Sequence, residues 1–307
     1  MTTITIDGRE YNTNITYLDL HECDQLTTLP PEIGNLVHLI DLDLHECNQL
    51  TTLPSGIGNL VHLIDLDLRE CKQLTTLPPE IGNLVNLTRL CLSECHQLAI
   101  LPPEIWNLVH LINLCIRGSR LTNIPPEIGN LVHLIDLDLQ NSRQLANIPP
   151  EIGNLVHLTD LNLSDCPLID IPPEIGNLVN LTVLDLSGSL LTTLPSEIGN
   201  LVNLTCLELS NCYELTTIPP EIGNLINLTV LDLCGDPLID IPPEIGNLVN
   251  LTVLDLYNCQ QLTNFPPEIG NLVNLTVFEL HGCQIESIPQ NVQRLIDGIE
   301  NGSCMDN

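Results

Sequence analysis

The sequence predicts an α/β solenoid: short parallel strands on one side of each repeat, short helices or 3-10 turns on the other. Three observations predict it. The phrase LPPEIGNLVHLIDLDL at Leu29–Leu44 returns as LPPEIGNLVNLTRLCL at Leu77–Leu92, IPPEIGNLVHLIDLDL at Ile124–Leu139, and IPPEIGNLVNLTVLDL at Ile171–Leu186 and Ile241–Leu256. A fixed period of this size is the mark of a repeat architecture, in which each unit buries its apolar side only against its neighbours. Inside each copy runs L-x-x-L-x-L, as in Leu39, Leu42, Leu44 and Leu158, Leu161, Leu163. The last two leucines alternate, so both fall on one face of a short strand. Finally, most strands are followed by L/I-P-P-E-I-G-N-L. Proline cannot donate to a sheet, so the strand has ended by then. Proline then glutamate suits the first turn of a helix, where a missing N–H costs nothing and a carboxylate faces the positive end of the dipole.

Twelve such units begin between Ile15 and Leu275. At the N-terminus Ile4 and Ile6 alternate with threonine, which suits a strand covering the open end of the first repeat. At the other end IPQNVQRLIDGI, Ile288–Ile299, departs from the phrase and reads as a terminal helix over the last repeat. The expected organisation is a cap strand over 1–14, a twelve-strand array over 15–287, a cap helix over 288–299 and a disordered tail over 300–307.

These residues carry a resemblance. L-x-x-L-P-x-x-I-x-x-L is similar to the leucine-rich repeats of the intracellular group that includes the Ras-suppressor, Scribble and Erbin proteins, and of eukaryotic-like effectors of intracellular bacteria. The resemblance covers about Ile15 to Leu295. It implies a horseshoe with a concave parallel sheet and short convex helices or 3-10 turns, and a non-catalytic protein-protein interaction module that binds on the concave side. It also implies, as one setting, an effector delivered into a host cell by a route other than the ordinary secretory one. Twelve strands at about 4.8 Å spacing make a sheet of roughly 55 Å along the array.

Charge narrows the partner. The 307 residues carry 39 Asp and Glu against 8 Lys and Arg, a net charge of −31. That excess argues against nucleic acid and an anionic membrane, and favours a monomer whose protein partner has a basic surface. No stretch approaches a membrane span. MTTITIDGREYNTN lacks the basic and apolar segments of a secretory signal.

Thirteen cysteines are present, an odd number. Eight share one register, Cys23, Cys47, Cys71, Cys95, Cys166, Cys212, Cys259 and Cys283, and Ser119, Ser142, Ser189 and Asp236 hold that place in the other repeats. The spacing offers no paired zinc ligands. It predicts a ladder of small buried side chains bonding the backbone at the bend, and reduced thiols imply a reducing, cytoplasmic compartment.

The partner site is sought where the copies differ. One outward column of the strands reads Asp41, Asp65, Arg89, Asn113, Asp136 and Asp160, then turns to valine at Val183, Val230, Val253 and Val277. The next outward column is mostly acidic, with Asp43, Asp67 and Asp138, but holds Cys91 and Cys115 in two adjacent repeats. Stacked carboxylates repel by about 1 kcal/mol per pair when hydrated, which a basic partner relieves and a solvated face tolerates. Calcium at Asp41, Asp43, Asp65 and Asp67 is the weaker reading, because flat strands form no enclosing loop. Arg69, Arg89 and Arg117 stand beside Cys91 and Cys115 as a cationic island between acidic fields. Recognition of a partner's carboxylate or phosphate and charge balance through Asp65, Asp67, Asp136 and Glu94 explain them equally well. His21 and His45 share a register beside Glu22 and Glu46, a pattern of solvated histidines more than of a metal site. Trp106 replaces glycine on the convex side, as a single exposed aromatic candidate for contact or simply a tolerated change. No catalytic motif, phosphate loop or cofactor-binding pattern occurs. A thiol-dependent enzyme at Cys91 or Cys115, and a structural or variable array without a dedicated partner, are the remaining readings.

Overall fold

A computed structural model describes residues 3–303, with the side chains of 300–303 left aside. The chain divides into two compact units, residues 1–145 and 146–307.

The first unit opens with an antiparallel pair, β1 (Thr3–Ile6) and β2 (Arg9–Asn12), joined by a turn at Asp7 and Gly8. The single cap strand expected from sequence is thus a hairpin: Ile4 and Ile6 are buried, and the other edge of their strand is satisfied by β2. Then come β3 (Tyr17–Asp19), β4 (Asp41–Asp43), β5 (Asp65–Asp67), β6 (Arg89–Cys91), β7 (Asn113–Cys115) and β8 (Asp136–Asp138). Each pairs in parallel and in register with the next, so equivalent positions of successive repeats lie side by side. The second unit repeats the arrangement with β9 (Asp160–Asn162), β10 (Val183–Asp185), β11 (Cys206–Glu208), β12 (Val230–Asp232), β13 (Val253–Asp255) and β14 (Val277–Glu279). It ends with the helix α1 (Gln290–Ser303). Residues Glu300–Ser303, expected in a disordered tail, continue this helix, while 304–307 lie outside the described residues.

Between strands the Pro-Pro-Glu phrase forms a five-residue 3-10 turn, as at Pro31–Asn35 and Pro173–Asn177. The first proline is extended and the second enters the turn, where its missing N–H leaves nothing unpaired. The Ile of the turn and the leucines around it are buried in every repeat, so the core is a ribbon of Leu and Ile between strands and turns. Glycine within the turn is required by packing. A Cβ on Gly176 would stand 2.6 Å from the carbonyl oxygen of Glu197 in the next repeat.

At the bend after each strand the expected ladder is present. The thiols of Cys47, Cys71 and Cys95 donate to the carbonyls of Leu20, Leu44 and Leu68, the strand leucines of the preceding repeat, at 3.1–3.2 Å. Cys212 and Cys259 repeat this in the second unit. Burial pushes the Cys47 and Cys95 thiols up to about 12, so they stay neutral donors. The residue just before this place has positive φ throughout: Glu22, Glu46, Glu70 and Glu94, then Gly118, Asn141, Asp165, Gly188, Asn211, Gly235, Asn258 and Gly282. This left-handed position is why the sequence turns to Gly, Asn and Asp there. Four consecutive glutamates occupy it in the first unit at a conformational cost.

Trp106 is a correction. It is 3% exposed. On the turn side of the first unit it lines a pocket with Ala99, Pro103, Leu121 and Pro125, and burial of the large ring offsets the loss of the usual glycine.

Candidate functional site: the outward face of the strands

Each strand from β3 to β13 is three residues long, with its middle leucine buried and the two flanking positions on the other face; in β14 the middle residue is Phe278. Register therefore converts the two variable columns into two rows across the sheet of each unit.

The second row has a structural duty that sequence reading missed. Oδ1 of Asp19, Asp43, Asp67 and Asp138 accepts the backbone N–H two residues on, at 2.9–3.0 Å. Asn162, Asp185, Asp232 and Asp255 do the same in the second unit, at 2.7–3.0 Å. The row caps the turn that leads to the left-handed residue. The signal was in the sequence: a short acceptor at the end of nearly every strand, followed two places later by the bend. Asp43, Asp67 and Asp138 are thus partly committed to their own backbone.

The first row is free of that duty. Asp41 and Asp65 lie side by side, half-buried. Burial raises both carboxyls above the usual range; Asp43 raises Asp41 further, Asp41 raises Asp65 further, and Arg89 opposes both shifts. Oδ1 of Asp65 is buried and has no hydrogen-bond partner. On its other side stands Arg89, whose Nη1 is 3.1 Å from Oδ2 of Asp65 and whose Nη2 is 3.6 Å from Oδ2 of Asp67. Arg69 binds Asp67 closely, with Nη2 at 2.6 Å from Oδ2 and Nε donating to both oxygens. Arg117 reaches Asp138 at 3.4 Å and Gln140, not Asp136. Asn113 donates to Asp136 at 3.4 Å. The cationic island is therefore tied into the acidic rows, arginine by arginine, and its partners Asp65 and Asp67 are among those expected. Glu94 faces His96 at 3.4 Å instead. These pairs are solvent-exposed on the arginine side, so each contributes at most about 1 kcal/mol.

Cys91 and Cys115 stand in register in the second row, where no aspartate caps the turn. Asp160, Val183 and Val230 belong to the second unit, each half-buried on an outward strand position, with Val183 beside Asp160 and Val230 beside Cys206.

Two clusters bring three metal-capable donor atoms within 4.8 Å of one another: His45, Glu46 and Glu70 in the first unit, and Asp232, Cys234 and Asp255 in the second. In the first, Lys72 lies 3.2 Å from Glu70. His21 takes no part, since its Nδ1 meets Asp19 at 2.5 Å, so the two histidines of one register do not converge. In the second, burial and the neighbouring Glu208 and Asp255 raise the Asp232 carboxyl. Calcium at Asp41, Asp43, Asp65 and Asp67 finds Asp67 already held by two arginines.

A sequence profile described as Leucine-rich repeat region matches residues 146–256, and one described as Leucine Rich Repeat matches 14–36 and 250–272. The solved structure of a leucine-rich-repeat protein from Leptospira interrogans is 34% identical, with 89% of this chain and 79% of that one covered and a TM-score of 0.59. The chain belongs to the leucine-rich-repeat proteins. An internalin of Listeria monocytogenes, InlF, shares the fold at 23% identity, with 89% and 85% covered and a TM-score of 0.62. The Arabidopsis receptor kinase HAESA, solved with the peptide hormone IDA and a co-receptor, is 26% identical with a TM-score of 0.65; 88% of this chain is covered, and it spans 46% of the receptor chain. No curated protein matches the chain. The leucine-rich-repeat fold is a common protein-interaction scaffold, and its members are typically not enzymes. Among the described residues no helix is long and apolar enough to cross a membrane.

Proposed function

We propose that the chain is a non-catalytic binding module whose first unit takes a basic segment of a protein partner on the outward face of β4 and β5. The observation that carries this reading is the pair Asp41 and Asp65. They are adjacent, raised by burial, and one buried carboxylate oxygen of Asp65 lacks a donor. A Lys or Arg from a partner would supply that donor and relieve the repulsion, which is a gain available only on binding. Arg89 already neutralises one flank of Asp65, so it sets the limit of the acidic patch and orients the carboxylate rather than meeting the partner. The net charge of −31 steers a basic partner toward the face from a distance. In the second unit Val183, Val230 and Val253 form an apolar row of their own, which suits an aliphatic contact.

The setting we propose is reducing and intracellular. Cys47, Cys71 and Cys95 are buried and unpaired, and each thiol donates to a carbonyl. An effector role in a host cell rests on the resemblance of the repeat phrase. It is tested by whether the chain reaches the host cytosol from an infecting bacterium.

The binding reading is tested by capture from eukaryotic cytosol at low and moderate salt. The native chain, Asp41→Lys with Asp65→Lys, and Arg89→Glu with Arg117→Glu are compared. One partner held at moderate salt by the native chain and lost with the aspartate reversal supports it. Many basic proteins, all eluted by salt and indifferent to both variants, overturn it.

A further inference from the structure

The capping row of aspartates is broken in the first unit by two cysteines. Turn-capping at this position is done by Asp43 and Asp67 before the break and by Asp138 after it. A cysteine is a poorer acceptor than a carboxylate, so two neighbouring replacements give up stabilisation at both turns. The structure shows what stands there instead. Cys91 and Cys115 are in register on adjacent parallel strands, so both sulfurs leave the same face. The Ser93 hydroxyl is 2.8 Å from Cys115 Sγ and 3.5 Å from Cys91 Sγ. On its other side the Cys115 thiol donates to Oδ2 of Asp138 at 3.7 Å. Cys91 is 6% exposed, while Cys115 is open to solvent on one side. In the ladder, by contrast, the thiols of Cys47 and Cys95 donate to backbone carbonyls and do not face another side-chain thiol across a shared hydroxyl.

We propose that Cys91 and Cys115 form a dithiolate site for a single soft, thiophilic d10 cation, with Ser93 Oγ as a neutral third donor. Soft cations select thiolate over the carboxylates that fill the rest of the row. Adjacent parallel strands lie about 4.8 Å apart, and two metal–sulfur bonds of about 2.3 Å each span that gap without moving either strand. Asp67 and Asp138, the carboxylates on either side of the pair, are both bound by arginine, from Arg69, Arg89 and Arg117, which offsets part of the negative charge beside the sulfurs. On binding a divalent ion both sulfurs become thiolates, both thiol protons pass to solvent, and nothing is oxidised or reduced.

The test uses Cd²⁺ as probe on the full chain, kept reduced with a phosphine. The readouts are sulfur-to-cadmium charge-transfer absorbance and proton release. The expected result is a first equivalent that saturates sharply and releases protons. Cys91→Ser and Cys115→Ser should each weaken it at least tenfold. Cys206→Ser with Cys234→Ser, which removes the thiol of the Asp232 cluster, should leave it unchanged. Cys91→Asp with Cys115→Asp restores the capping row, so it should fold at least as well as the native chain by circular dichroism and lose the band. A first-equivalent band that survives in this variant, or a native chain without a saturable band, overturns the proposal.

Discussion

The two units use one repeat phrase differently. In the second unit it mostly reads V-N-L-T-V, and its flank is a closed hydrogen-bond ladder. Asn180, Asn203, Asn227, Asn250 and Asn274 each donate to a carbonyl of the preceding repeat at 2.7–2.8 Å. Thr182, Thr205, Thr229, Thr252 and Thr276 do so at 2.9–3.1 Å. In the first unit the phrase mostly reads V-H-L-I-D. Imidazole and isoleucine replace asparagine and threonine, and His38, Ile40, His62 and Ile64 line an open groove of about 860 Å³ with Asn14, Thr16 and Asn86. His110 and His133 stack, with ring centres 6.0 Å apart. Beside the closed flank the outward row is valine; beside the open flank it is aspartate. The same repeat phrase thus carries a continuous Asn/Thr ladder in the second unit and only an interrupted one, at Asn86 and Thr88, in the first.

The largest expected effect tests whether the ladder of the second unit has a flaw. Asp236 stands where cysteine or serine stands elsewhere and is 0% exposed. Its Oδ1 accepts the N–H of Cys212 at 2.8 Å, and its Oδ2 has no partner. Burial pushes its carboxyl up to about 8. Folding therefore holds a proton that the unfolded chain releases near 4, and stability falls as pH rises from about 4 to about 8, by about 1.4 kcal/mol per pH unit. Denaturant unfolding at pH 5 and pH 8 should show this fall, and Asp236→Ser should remove it. An unchanged slope would place the titration elsewhere.

Next come the units' shared features. Leu90→Ala and Leu207→Ala, both on fully buried strand leucines, should each cost about 3 kcal/mol, because the core ribbon is common to both units. A loss confined to one would mean that the units differ inside as well as at the surface. A smaller effect separates structure from recognition in the capping row. Asp43→Ala and Asp185→Ala should each cost about 1 kcal/mol through the lost turn bond, read as a shift in the unfolding midpoint. If only Asp185→Ala destabilises, the first unit's row is held for a ligand and not for its turn.

The smallest effect converts one unit toward the other. His62→Asn with Ile64→Thr introduces the two ladder donors of the second unit and should stabilise by about 0.5–1 kcal/mol. Glu46→Asn should add a few tenths more, since φ is +58° there. Thermal unfolding of the combined variant checks both, and no gain would mean that the open flank is as well satisfied as the closed one.

Much of this was legible in the residues. The spacing of Leu39, Leu42 and Leu44 places the strand, Pro-Pro-Glu places the turn, and the Cys/Ser register places the ladder. Other features were not. Trp106 looked exposed because glycine normally holds its place, but stacking of the repeats buries it. The aspartates looked like a binding face because a sequence shows charge but not the N–H two residues away that each one caps. Asp138 was not among the expected partners of the arginines, yet Arg117 reaches it across β7 and β8.

The sequence by itself determined the fold class, the repeat boundaries and the buried ribbon, because each follows from a short period and from where apolar side chains fall within it. Tertiary structure decided which of many equivalent carboxylates and thiols are committed to turns and ladders and which are not. That depends on register between strands some 23 or 24 residues apart in sequence, which sets Asp65 beside Arg89 and Cys91 beside Cys115. Local pattern specifies each strand; only stacking one repeat on the next specifies its neighbours.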